Sequence, residues 1–148
     1  MKFEFVPMTL DYADLIKKWK YTGYVKSIYM EPYFDTFNET GKMRGPGGCE
    51  GFVVLNQSRL VGLFEYYFID EIMEIGLALK PELTGKGYGK DFVHQGIKFG
   101  IKNFEYKRKY IKLTVNILNK PAIKVYEKVG FEEHKRNEGE IEMRKYLT

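Results

Sequence analysis

The chain has one cysteine, Cys49, and two histidines, His94 and His134, far apart in sequence. One thiol cannot build a disulfide framework, and this few nitrogen and sulfur ligands do not make a zinc site, so no metal is expected. Cys49 has no His, Asn or Asp neighbourhood to activate it as a nucleophile. No apolar run reaches the ~18 residues that would cross a membrane. The N-terminal stretch MKFEFVPMTLDY lacks the apolar core of a signal peptide. A cytoplasmic protein with no membrane partner is the expectation. The basic run Lys107–Lys109 is flanked by only two aromatics, Tyr106 and Tyr110. It lacks the interleaved stacking residues of a single-strand binder, and no nucleic acid partner is expected. Repeats and low-complexity tracts are also missing.

What the chain does contain is globular. Its 148 residues are 44% hydrophobic and 30% charged, which fits a single domain over 1–148 with a sizeable core. The net charge of +4 is unevenly spread: Lys80–Lys128 holds 12 Lys/Arg against 4 Asp/Glu, so the rest of the chain is net acidic. Two stretches have no basic residue at all. One, between Ser27 and Gly41, carries Glu31, Asp35 and Glu39; the other, between Val61 and Leu79, carries Glu65, Asp70, Glu71 and Glu74. A basic segment favours an anionic ligand and acidic segments a cationic one.

Hydrophobic periodicity gives the element order β-α-(α)-β-β-β-α-β-α-β-β, a mixed α/β sheet with helices on its faces. Lys2–Val6 alternates as a strand. Thr9 can cap a helix running to about Lys20. The Tyr21–Phe37 stretch is dense in aromatics, including Tyr24, Tyr29, Tyr33, Phe34 and Phe37, and Gly41–Gly48 reads as a loop. Strands are expected at Gly51–Leu55, Leu60–Phe68, Ile72–Leu79 and Tyr110–Val115, with helices at Tyr88–Ile101 and Asn119–Lys128. A last hairpin turns around Asn137–Gly139, its second strand near Ile141–Tyr146.

The stretch LTGKGYGK, Leu83–Lys90, sets three glycines at alternate positions before a helix. Glycines weaken regular elements by roughly 0.5–1 kcal/mol each, so the bare backbone has a use. A Gly-rich turn opening a helix makes an anion site, because the first amides have no helical partner and the helix dipole adds positive charge. Lys86 and Lys90 add full charges. Two familiar loops fail on spacing. A Walker A loop needs glycine at 84 and Ser/Thr at 91, where this chain has Thr84 and Asp91; a dinucleotide fingerprint needs glycine at 92, which is Phe92.

The stretch EIGLALKPELTGKGYGK resembles the acetyl-CoA-binding motif of the GNAT-type N-acetyltransferase superfamily, Arg/Gln-x-x-Gly-x-Gly/Ala after a strand and a Pro-containing turn. Gly87 and Gly89 match, Pro81 lies in the turn, and Thr84 stands where the family usually has Arg or Gln. Downstream, VNILNKPAIKVYEKVGF, Val115–Phe131, looks like the family's second motif. The resemblance covers nearly the whole chain and implies the GNAT acyl-CoA N-acyltransferase fold. It implies acetyl-CoA as co-substrate on Leu77, Ala78, Leu79, Thr84, Gly85, Lys86, Gly87, Tyr88, Gly89, Lys90, Asn119, Ala122 and Tyr126. It further implies transfer of the acetyl group to a primary amine by direct attack in a ternary complex.

In that reading Tyr126 is the general acid that protonates the departing thiolate. An ammonium must lose a proton before it attacks, and a carboxylate facing a cleft can relay that proton through water. Glu74 is the candidate base. Strand parity puts it on one face with Ile72, Gly76 and Ala78, and puts Met73, Ile75, Leu77 and Leu79 on the opposite, core face. The family's acceptor wall falls on the acidic stretches, where aromatic faces can hold an ammonium. Tyr29, Glu31, Tyr33 and Asp35 are the expected substrate contacts, and a cationic small molecule or peptide amine is the expected partner. The alternative is a non-catalytic acyl-CoA-binding regulatory module of the same fold. The last hairpin makes a homodimer an expectation as well.

Overall fold

Seven strands and four α-helices follow one another in a computed structural model that describes residues 1–22 and 28–148. They are β1 (Glu4–Pro7), α1 (Leu10–Lys17), α2 (Glu31–Thr40), β2 (Glu50–Asn56), β3 (Arg59–Ile69), β4 (Ile72–Leu79), α3 (Gly89–Asn103), β5 (Tyr110–Asn116), α4 (Lys120–Val129), β6 (Glu132–Asn137) and β7 (Glu140–Tyr146). The strand order is β1-β2-β3-β4-β5-β7-β6. The β4–β5 pair is parallel, as a strand–helix–strand crossover through α3 requires. Of the aromatic stretch read from sequence, Tyr24 lies outside the described residues.

The chain packs as two compact units, one of 2–65 with 77–84, the other of Met1 with 66–76 and 85–148. In the first, Thr9 caps α1 by accepting from the Tyr12 amide, and Ala13 and Ile16 are buried. The helix ends at Lys17, short of the expected Lys20. The Lys18 and Trp19 amides bond back three residues, to Leu15 and Ile16, and the indole of Trp19 turns into a core of Met8, Ile16, Met30, Tyr33, Val53 and Leu63. β1 starts two residues later than read and extends through Pro7.

In the second unit, α3 buries Phe92, Val93, Gly96, Ile97 and Gly100. Gly100 passes so close to Tyr66 that a Cβ there would lie 2.4 Å from the ring, and the Tyr66 hydroxyl donates to the Gly96 carbonyl. β5 and β7 bury Ile111, Leu113, Val115, Ile141 and Met143, leaving Lys112, Glu142 and Arg144 on the other side of the strands. β6 is an exposed edge strand of charged residues whose register shifts at His134. A charged, bulged edge discourages pairing with further strands.

Candidate active site

The loop before α3 uses its glycines in two ways. Gly85 and Gly87 have φ of 72° and 87°, and a Cβ at either would meet nothing within 4 Å. Backbone conformation, not space, demands glycine there. Gly89 is the reverse case: its Cβ would lie 3.2 Å from Val125 of α4, so the residue lets the two helices approach. Tyr88, the N-cap of α3, is right-handed and makes no side-chain cap. A left-handed residue followed by a right-handed one turns successive amides toward a common side, an anion-binding geometry. These amides, the α3 dipole, Lys86 and Lys90 fit a diphosphate. The Thr84 hydroxyl donates to the Pro81 carbonyl at 2.8 Å, so this residue ties down its own turn.

α4 opens differently. Asn119 accepts from the Ala122 amide at 3.3 Å, Pro121 sits in the first turn, and Asn116 accepts from the Leu118 amide. Cap bonds therefore engage the side-chain oxygens of both asparagines. At the other end, left-handed Gly130 and the Phe131 amide close the helix onto the Tyr126 carbonyl. The Tyr126 ring packs edge-on against Phe131 at 6.0 Å and is half-buried, one turn from Ala122.

Strand β4 resolves the expected cofactor strand more finely. A two-residue turn, Asp70–Glu71, with both φ positive, joins it to β3, and at the far end the Lys80 amide donates to the Val61 carbonyl. The turn at one end and the Lys80–Val61 bond at the other fit one hairpin register. The backbone groups of Ile72, Glu74, Gly76 and Ala78 bond toward β3, while those of Met73, Ile75, Leu77 and Leu79 point away from it. Of the expected Leu77–Ala78–Leu79 contact, the outward backbone groups belong to Leu77 and Leu79. The Leu79 carbonyl accepts from the Tyr21 hydroxyl at 2.5 Å, a bond that sequence reading missed. Met73 and Ile75 are buried as expected. Leu77 and Leu79 are only half-buried, which corrects the reading of a uniform core face.

Glu74 stands opposite Lys112 of β5, its Oε1 3.9 Å from the ammonium, with side chains 23% and 18% exposed. Burial pushes its carboxyl above the usual carboxylate range; Lys112 opposes this, and Glu142 and Glu140 add to it. A raised carboxyl pKa suits a proton acceptor working near neutrality.

The expected acceptor residues separate by burial. Tyr29 is 64% exposed, and Glu31 and Asp35 are exposed on α2. With Glu39 they recur every fourth residue, forming one acidic stripe along the helix. Tyr33 is fully buried, which corrects its assignment as a substrate contact. Its hydroxyl donates to Glu65 at 2.5 Å and lies where a Cβ on Gly51 would sit, so no ammonium reaches its ring face. Phe34 already carries the Lys17 ammonium 5.3 Å over its ring.

Among the described residues no cluster of His, Cys, Asp or Glu could hold a metal, and no helix is long and apolar enough to cross a membrane. A sequence profile described as the acetyltransferase (GNAT) family matches residues 13–131. No curated protein sequence matches the chain. Among solved structures, a chimera of the Vibrio cholerae spermidine N-acetyltransferase SpeG with hSSAT is similar, with TM-score 0.77 and 19% identity over 99% of this chain and 96% of that one. Campylobacter jejuni N-acetyltransferase PseH, solved with acetyl coenzyme A, has TM-score 0.76 and 18% identity over 99% of this chain and 100% of that one. At these identities the likeness establishes the shared fold.

Proposed function

The chain belongs to the GNAT acetyltransferase family, and from that premise we propose that it transfers the acetyl group of acetyl-CoA to a primary amine of a cationic small molecule or peptide, with Glu74 as base and Tyr126 as acid. The observation that carries this reading is the start of α3, where left-handed Gly85 and Gly87 lead into a helix without a side-chain cap. Bound there, acetyl-CoA supplies the thioester carbonyl that the amine attacks. The chain's own residues do the rest. Backbone amides and lysines hold the diphosphate, and the outward backbone groups of Leu77 offer a strand edge to the pantetheine arm. The Glu74 carboxylate accepts the ammonium proton, directly or through water, and the Tyr126 hydroxyl gives one to the departing sulfur.

The cationic acceptor is supported by Glu31, Asp35 and Glu39 along α2 and by exposed Tyr29 nearby in sequence. Two of the similar structures are of enzymes named for an amine, spermidine, or bound to acetyl coenzyme A. These names support the class of reaction and leave the acceptor to experiment.

Thiol release from acetyl-CoA across a panel of polyamines, aminoglycosides, amino-acid amides and peptides tests the reading. Glu74→Gln is expected to lower kcat by about 10²–10⁴-fold on the best amine, the usual range for a lost general base. Because the base must be ionised, wild-type activity should rise with pH along a limb set above the ordinary carboxylate range. Wild-type kcat in Glu74→Gln removes Glu74 from the mechanism. Acetyl-CoA binding without turnover of any amine favours a regulatory module. Neutralising Glu31 and Asp35 together should raise KM for a cationic amine about 10-fold with little change in kcat, the pattern of lost ground-state attraction. Equal KM in the double variant removes α2 from acceptor binding.

A further inference from the structure

Glu74 does not stand alone on its strand. In the register that the Asp70–Glu71 turn sets, Tyr67 of β3 falls opposite it on one side, and Lys112 is its partner across β5 on the other. Lys112 in turn stands opposite Arg144 of β7, while Glu142 faces Thr114, one step along. Glu142 is held by Arg144 Nε at 2.9 Å and lies 3.9 Å from Lys135 of β6. Arg144 also lies 4.4 Å over the ring of Tyr110. The result is a cluster of charges of both signs across β4, β5, β7 and β6, with Glu74, Lys112, Glu142 and Arg144 each less than a quarter exposed.

We propose that Lys112 is a positioning residue for Glu74, its ammonium fixing that carboxylate on the polar face of the sheet. The proposal deepens the catalytic reading above and rests on it for its meaning in the reaction. The charged and titratable groups facing Glu74 are Tyr67 from β3, Lys112 from β5, and Glu140 and Glu142 from β7. Burial and both β7 carboxylates favour a protonated Glu74; Lys112 is the cation set against them. At 3.9 Å the pair is too long for a hydrogen bond, so the coupling is charge attraction, and an arginine can supply it as well as a lysine. A base that is protonated in the resting enzyme accepts no proton from the amine. The pair therefore sets the lower pH edge of turnover without Lys112 touching substrate.

The test is a carboxyl ¹³C NMR titration of the full chain labelled at glutamate, with the Glu74 signal assigned by its loss in Glu74→Gln. Lys112→Met should raise the Glu74 midpoint by about one pH unit. Lys112→Arg should leave it within about 0.3 pH unit of wild type, and Glu142→Gln should lower it. The acid limb of kcat should move with the midpoint, with KM for acetyl-CoA unchanged. A midpoint that stays in place in Lys112→Met overturns the proposal, as does an upward move in Lys112→Arg equal to that in Lys112→Met. If Lys112→Met fails to fold, Lys112→Gln removes the same charge with a polar side chain, and a Glu74 midpoint that stays in place in that variant equally overturns the proposal. This titration is independent of turnover. Failure of the base assignment shows instead as full kcat in Glu74→Gln, whatever Lys112 does.

Discussion

Two helices of one unit begin in opposite ways. α4 starts on Asn119, whose side chain accepts from the Ala122 amide, and carries Pro121 in its first turn. Both features serve the helix itself, satisfying one orphan donor and removing another. α3 starts on Tyr88, which caps nothing, after a loop in which Gly85 and Gly87 are left-handed. Each helix has the same need for acceptors at its first amides. In α4 the chain meets part of that need from within; in α3 the side chains leave it to something else. A self-capped start favours stability, while an uncapped start beside Lys86 and Lys90 favours an anion.

The largest expected effect comes from forcing α3 to behave like α4. Tyr88→Asp places a carboxylate at the N-cap of α3, where it can accept from the first-turn amides and repel a diphosphate. Acetyl-CoA affinity should fall about 100-fold or more by calorimetry, which corresponds to about 2.8 kcal/mol. Stability should rise by a few tenths to about 1 kcal/mol in urea titration, less than a full cap because the backbone at residue 88 is right-handed rather than extended. Tighter binding or unchanged affinity would mean that the diphosphate does not use this helix start.

The contrast between the two starts was only half visible in the sequence. Asn119, Pro121 and Gly130 carry their roles in local chemistry, and the bounds of α4 and β4 follow from it within a residue. The alternate glycines also announced a special loop. What they could not reveal is that Gly85 and Gly87 are there for backbone angle and Gly89 for its contact with Val125, since that contact joins two helices far apart in sequence. The same holds elsewhere. Tyr29 and Tyr33 look alike in an acidic, aromatic stretch, yet one is exposed and the other is buried on Glu65, thirty-two residues away. Lys112 reads as an ordinary outward lysine between Ile111 and Leu113. Its partner becomes apparent only when the parallel register of β4 and β5 is known. Local pattern gives elements and caps; long-range register gives the charge cluster, and no single stretch of sequence encodes it.

The smaller effect is the mirror experiment at α4. Asn119→Ala removes the bond to the Ala122 amide, leaving one more first-turn donor without a side-chain partner. The usual loss for such a cap is about 1 kcal/mol, read as a lower urea midpoint at unchanged slope, because the amount of surface exposed on unfolding stays the same. The resemblance to GNAT enzymes implies a second role for Asn119, as a contact to the cofactor. The two roles predict different binding results. With its Oδ1 already accepting the cap bond, Asn119 has its amide nitrogen as the side-chain donor to offer a ligand. If the cap is its whole contribution, Asn119→Ala should leave the acetyl-CoA Kd within about 2-fold of wild type, and Asn119→Asp should restore stability because aspartate caps equally well. If the cofactor also needs the amide nitrogen, Asn119→Asp should recover stability and still bind weakly, since it keeps the acceptor and replaces the donor with a negative charge. The aspartate variant thus separates the helix's need from the ligand's, and a stable, weakly binding Asn119→Asp would show that α4, too, begins with a residue shared between fold and cofactor.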